Sequence, residues 1–252
     1  MKFLQQLDER NRLLYRFGWF NFCVGLFCLV GIFIDDFQLL GVSRWMKPMK
    51  FYFSVGILVW TLGWLMSYLP HSKKLRRYSL VIFYSLLIEN GLILMQSIRK
   101  TTSHFNVHTG FDTAVFNLMG ILILLFTVAC IRICIDFFRL RPGTMPEAAL
   151  WGIRAAFIFF IIFSLEGVVM VGLLRHTVGA GDGSPGIPLL NWSRQHGDLR
   201  IAHFLGIHSL QILPLIGFHL ASTKRQIIAI GMIYFLAVMF VLLQALRGLP
   251  LL

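Results

Sequence analysis

The stretch RIAHFLGIHSLQILPLIGFHL, Arg200 to Leu220, is long and apolar enough to span a bilayer, yet its first half carries Arg200, His203, His208 and Gln211. At about 100° per residue, these four side chains fit on about 140° of one helix face. Ionisable groups are costly in hydrocarbon, so this face must turn to a protein interior or a wet cavity. Imidazoles held there can ligate a metal or shuttle a proton. The guanidinium and the amide can hold an anion. His203 sits nearer the water boundary, where solvent can satisfy it; His208 lies about 7.5 Å deeper and needs a partner or a cofactor. The alternative is a packed helix whose histidines bond backbone carbonyls.

Two carboxylates, Glu89 and Glu166, also fall within apolar segments. Each must be protonated or paired with a cation, and Lys50, Arg99 and Arg200 lie at depths that suit such pairing. Helical spacing puts Ser85, Glu89 and Gln96 on one stripe with Arg99 at its end, and Lys47, Lys50, Ser54 and Thr61 within about 60° of another face. His104, His108 and Asp112 follow at i, i+4 and i+8. On a helix they would share about 80° of face and could bind one metal. Gly110 and the threonines before His104 oppose a helix there. The alternative is a polar loop that caps the next span through Asp112 or Thr113.

These residues divide by role. Glu89, Glu166 and His208 are the candidate catalytic groups. Lys50, Arg99, Arg200, Gln96 and Gln211 would bind substrate, and His104, His108, Asp112 and His203 would bind a divalent metal. The leading expectation is a membrane enzyme with a metal-assisted site, acting on a lipid head group or another anionic substrate. A haem b protein with two of His104, His108, His203 and His208 as axial ligands is one alternative. A transporter or receptor for a small anion, needing no metal, is the other.

Those side chains need a scaffold, and the composition says which kind. The chain has 252 residues, 57% of them hydrophobic and only 13% charged. A soluble domain this apolar would expose large sticky patches. The expected fold is an all-α integral membrane protein, a bundle of about seven transmembrane helices. Residues 1–16 read as an amphipathic, interfacial segment, and residues 17–252 as the membrane domain. Spans are expected near 17–34, 48–69, 79–98, 114–138, 150–174, 200–220 and 226–246. Pro48 suits a first helical turn. Cys23, Cys28, Cys130 and Cys134 lie in apolar segments and read as small hydrophobes. No internal repeat is visible, which argues against transporters built from inverted repeats.

The net charge of +12 reflects short basic membrane loops and contact with anionic lipid rather than nucleic acid. With the N-terminus inside, 14 of the 23 Lys and Arg residues fall on the inner side. The other 9 are Arg44, Lys47, Lys50, Arg99, Lys100, Arg175, Arg194, Arg200 and Arg247. The bias predicts an inside N-terminus and an outside C-terminus. The nine outer cations mingle with acids and histidines, which places the expected polar cavity in the outer half of the bilayer. Gly181, Gly183 and Gly186 match GxGxxG, but no strand precedes them and Pro185 interrupts, so the loop from Val178 to Leu190 is expected to cover the cavity mouth.

The WMKPMKF start of the second span resembles a family of uncharacterised bacterial polytopic membrane proteins. So do the stretch around SHFN, from Glu89 to Gly120, and GDLRIAHFLGIHSLQ within Gly181 to Gln211. The resemblance implies a multi-pass protein of the bacterial inner membrane and carries no activity with it. Microbial rhodopsins are a poor fit, because the last span, 226–246, has no lysine for retinal. The ceramidase and progestin-receptor-like hydrolases bind zinc through a serine, an aspartate and three histidines. Ser103, Asp112, His104, His203 and His208 supply those types, but in neither the order nor the spacing.

Overall fold

The computed structural model describes residues 2–141, 143–183 and 186–251. Met1 of the amphipathic segment, Pro142, and Ser184 and Pro185 of the glycine-rich loop lie outside the described residues. Seven helices carry the fold: α1 Lys2–Ile34, α2 Met46–Met66, α3 Lys73–Ile98, α4 Gly110–Arg139, α5 Glu147–Leu173, α6 Leu199–His219 and α7 Lys224–Leu246. All seven are long and apolar enough to cross a membrane. Their outward faces carry Phe33, Ile34, Ile233, Leu236 and Phe240, which suit lipid and not water. The chain is a multi-pass integral membrane protein. It divides into two compact units, Met1–Ala129 and Cys130–Leu252, with α4 running through the boundary.

In the first unit α1 and α2 form a close antiparallel pair. Their connection holds the two-residue strands β1 (Gln38–Leu39) and β2 (Val42–Ser43). Aromatic rings fill the seam: Trp60 meets Trp19 and Phe22 edge to face at 5.1 and 4.8 Å. Gly63 admits Leu7, since a Cβ there would come within 2.5 Å of the leucine methyl. The amphipathic segment and the first span are one helical element, broken at Asn11 (φ −150°, ψ 68°) rather than near residue 16. Two amide contacts tie α1 to α3. Asn11 donates to Ser79 Oγ at 2.8 Å, and Asn90 donates to Asn21 Oδ1 at 2.8 Å in the core.

The second unit is built on α5 and α6, which approach through glycines. A Cβ on Gly152 would meet the Leu213 carbonyl at 2.6 Å, and one on Gly217 would meet the Ala148 carbonyl at 2.7 Å. Small residues at such crossings let apolar helices touch backbone to backbone. Ser209 adds a hydrogen bond to the Ala156 carbonyl at 3.1 Å. α7 begins at a capping box in which Thr223 and Gln226 satisfy each other's backbone N–H groups. Arg154 is buried, and its guanidinium donates to the Phe137 and Leu140 carbonyls at 3.2 and 3.1 Å. It thereby caps the end of α4, a structural task that topology counting does not reveal.

Candidate functional site

The polar residues expected to share one cavity divide between the two units. Glu89, Gln96, Arg99, His104, His108, Asp112 and Lys50 belong to the first. Glu166, Arg200, His203, His208 and Gln211 belong to the second.

In the first unit the site stands where α1 and α3 end. A hydrogen-bonded clasp fixes that end. Asp35 accepts the Trp45 indole N–H at 2.7 Å and the Phe37 backbone N–H at 3.1 Å, and it pairs with Arg44. Arg44 reaches on to the Ile98 carbonyl at 3.1 Å, and Ser97 Oγ donates to the Arg44 carbonyl at 2.7 Å. The Phe37 N–H, the indole and the guanidinium together hold the Asp35 carboxyl below the usual aspartate range.

From this clasp residues 99–109 fold back against the helices without forming one. Asn106 is fully buried and anchors the turn by donating to Thr101 Oγ1 and the Thr102 carbonyl, each at 2.9 Å. The fold-back sets His104 against the Phe51 ring at 5.7 Å and brings its Nε2 to 3.9 Å from Glu89 Oε1. Ser103 Oγ lies 3.2 Å from the other ring nitrogen, Nδ1. Ser103 is 3% exposed and Glu89 2%. Glu89 Oε2 has no hydrogen-bond partner among the described residues. The result is a hydroxyl, an imidazole and a carboxylate in series. Irregular backbone is tolerated at such depth when its polar groups are held by protein or line a cavity.

Several expected partnerships in this unit are replaced by others. His104, His108 and Asp112 do not share a helix face, because α4 starts only at Gly110; His108 is exposed on the connection. Asp112 is taken by Gln96 at 2.9 Å, Arg99 at 2.6 Å and the Thr109 hydroxyl at 2.7 Å. Thr109, not Asp112 or Thr113, caps α4, since its Oγ1 accepts the Asp112 N–H at 3.1 Å. Arg99 therefore pairs with Asp112, the carboxylate at its own end of the unit, and not with a carboxylate deeper in the membrane. Among the described residues, no three His, Cys, Asp or Glu side chains come together as a metal site would require. His104, His108 and Asp112, expected to ligate one metal, are not gathered as a ligand set within the first unit, and His203 belongs to the second.

In the second unit α6 is positioned by its first turn. The strands β3 (Thr177–Val178) and β4 (Gly197–Asp198) pair and deliver Asp198 to the N-cap. Asp198 is 1% exposed and accepts from the Ser193 and Arg200 backbone N–H groups at 2.8 and 3.1 Å. The Arg200 side chain closes back on it at 2.9 and 2.6 Å and donates to the Asn191 carbonyl at 2.6 Å. Arg200 is thus occupied by a carboxylate two residues away and not by Glu166, the deep carboxylate of its own unit. Asp198 is the functional-looking residue that spacing missed; the signal available was an Asp directly before the apolar run.

His203 does not rely on solvent, for its Nδ1 lies 3.1 Å from Glu166 Oε2. His208 Nδ1 lies 3.1 Å from Gln211 Oε1 one turn on, and its ring packs on Phe204 at 4.2 Å. His208 Nε2 and Glu166 Oε1 are buried without hydrogen-bond partners among the described residues. Outside the span, His176 Nδ1 and Asp182 Oδ2 stand 2.6 Å apart. Burial pushes the Asp182 carboxyl up, but the His176 ring and the His176 and Thr177 N–H groups outweigh it, and the net shift is downward.

No family model, curated protein or solved structure matches the chain.

Proposed function

We propose that the chain is a membrane-embedded hydrolase or acyl transferase in which Ser103, His104 and Glu89 act as nucleophile, base and orienting acid. The supporting observation is the fold-back of residues 99–109, which aligns the three groups at 3.2 and 3.9 Å. In this scheme Ser103 Oγ attacks the carbonyl carbon of an ester, and its proton passes to His104 Nδ1. The imidazolium faces Glu89 through Nε2–H. The C–O bond then breaks, and the same proton goes to the leaving alkoxide. Water enters, loses a proton to Nδ1 and attacks the acyl carbon; the bond to Ser103 Oγ breaks, the acid leaves, and Nδ1 returns its proton to Oγ. Lys47 Nζ lies 5.8 Å from the Phe51 ring on which His104 packs, and with Lys50 on the same helix it would give an anionic head group a place to rest. The substrate class is an acyl-bearing amphiphile with an anionic head.

The charge bias supports an inside N-terminus and an outside C-terminus, which puts this site on the outer side. The motif resemblance supports a bacterial inner membrane. The test is labelling of the purified protein with a fluorophosphonate probe, which forms a stable bond only with an activated serine. Labelling is expected for wild type and lost in Ser103→Ala. An unlabelled wild type, or equal labelling of the variant, removes the hydrolase reading.

A second reading rests on His208. With Nδ1 directed at Gln211 and Nε2 buried without a partner, its imidazole has the arrangement of a ligand to iron or another metal. A haem b would be held by His208 through Nε2, and its iron would supply redox chemistry there. An absorption spectrum with elemental analysis tests it. A Soret band lost in His208→Gln supports haem, and a colourless, metal-free protein removes it.

A further inference from the structure

The far end of the first unit holds a cavity that the proposed chemistry does not use. It has a volume of about 760 Å³ and lies where the N-terminal part of α1, the end of α2 and the start of α3 meet. That size suits a small ligand or a lipid head group. Its walls include Arg10, Ser67, His71, Lys73 and Arg76. Among the described residues Arg10, Lys73 and Arg76 form no salt bridge; of the lining cations only Arg12 does, with Asp8 at 3.3 Å. The walls thus present several cations and no carboxylate.

The cavity is a feature of the helix break. At Asn11 the backbone leaves helical geometry, and the side chain fastens to Ser79 Oγ at 2.8 Å and accepts the Leu14 N–H at 3.3 Å. The preceding turns are pinned separately, by Leu7 buried against Gly63. A space is left between the two anchors. α3 begins beside it at Ser72, whose side chain makes no cap bond. An uncapped N-terminus of a 26-residue helix adds partial positive charge to that of the side chains. The cavity opens where the apolar helix α2 ends and the apolar helix α3 begins.

We propose that this cavity binds a phosphate group, with Arg10, Lys73 and Arg76 as its cationic partners. The phosphate belongs either to an anionic phospholipid or to a soluble phosphate compound. The test uses the full-length protein in nanodiscs of phosphatidylcholine and phosphatidylglycerol, read by native mass spectrometry, and thermal unfolding in detergent with inorganic phosphate. If the source is lipid, wild type retains phosphatidylglycerol over phosphatidylcholine. The Arg10→Gln/Arg76→Gln variant then loses that preference by about tenfold or more. A Lys224→Gln/Arg225→Gln variant, whose charges lie outside the cavity, keeps it. If the source is soluble, no lipid preference is seen, but inorganic phosphate raises the unfolding temperature of wild type and not of the Arg10/Arg76 variant. Lys73→Gln serves as the second variant should the first fail to fold. The proposal is overturned if neither lipid preference nor phosphate stabilisation occurs, or if cavity and control variants behave alike.

Discussion

His203 Nδ1 stands 3.1 Å from Glu166 Oε2 and so joins α6 to α5 through a carboxylate whose side chain is 4% exposed. Neither residue is well placed alone, because Glu166 has a second oxygen without a partner. His203→Ala should lower stability by about 1–3 kcal/mol, the cost of stranding a buried polar group. His203→Gln, which keeps a donor, should recover much of it. Unfolding temperatures in one detergent decide the matter, and equal values for His203→Ala and wild type would show the pair to be idle.

Asp198 should be less replaceable than Arg200. It accepts two backbone N–H groups besides the guanidinium, and it is almost fully buried. Asp198→Ala removes all of these and leaves the Arg200 guanidinium with the Asn191 carbonyl but no carboxylate. A loss of about 3–5 kcal/mol is expected, as for a broken buried pair. Arg200→Gln leaves the cap intact and should cost less. A larger loss for Arg200→Gln than for Asp198→Ala, in denaturant or heat, would contradict this order.

Arg154 should matter for folding and not for chemistry. Arg154→Met keeps the stem that packs near Trp151 but takes the guanidinium from the Leu140 carbonyl and leaves the Phe137 carbonyl with the Leu140 N–H at 3.3 Å. We expect a loss of about 1–3 kcal/mol, only partly restored by Arg154→Lys, which lacks the planar fork. Folding yield and unfolding temperature measure it, while probe labelling at Ser103 should be unchanged in folded protein.

The His176–Asp182 contact predicts a pH dependence outside the membrane. The Asp182 carboxyl is held below its unfolded value, so its stabilisation is full above that value, about 4. It is lost only as pH falls through the lower, folded value. The His176 and Thr177 amides, bonded to Asp182 at 3.0–3.1 Å, should therefore stay protected from hydrogen exchange through pH 5. Asp182→Asn should expose them at every pH. Protection that already fades between pH 6 and 5 would contradict the assignment.

Much of the architecture was legible because hydrocarbon imposes simple rules. The seven apolar runs became seven helices, and Glu89 and Glu166 are buried, as carboxylates at that depth must be. Partner choice was not legible. Arg99 and Arg200 were expected to reach the deep carboxylates, but each found an aspartate closer to its own helix end. Helical spacing also misjudged His104, because residues 99–109 turn back instead of extending α4. Nothing in the local pattern of TTSHFNVH shows that Asn106 will be buried and steer that turn; only packing against α2 and α3 decides it.

In the proposed chemistry Ser103 is an activated nucleophile oriented through His104 and Glu89. Peptide mapping of the fluorophosphonate-treated protein tests it most directly, with Glu89→Gln compared at equal exposure. One adduct is expected, on the peptide containing Ser103, formed markedly more slowly in Glu89→Gln. An adduct on another serine, or an unchanged rate in Glu89→Gln, would contradict it.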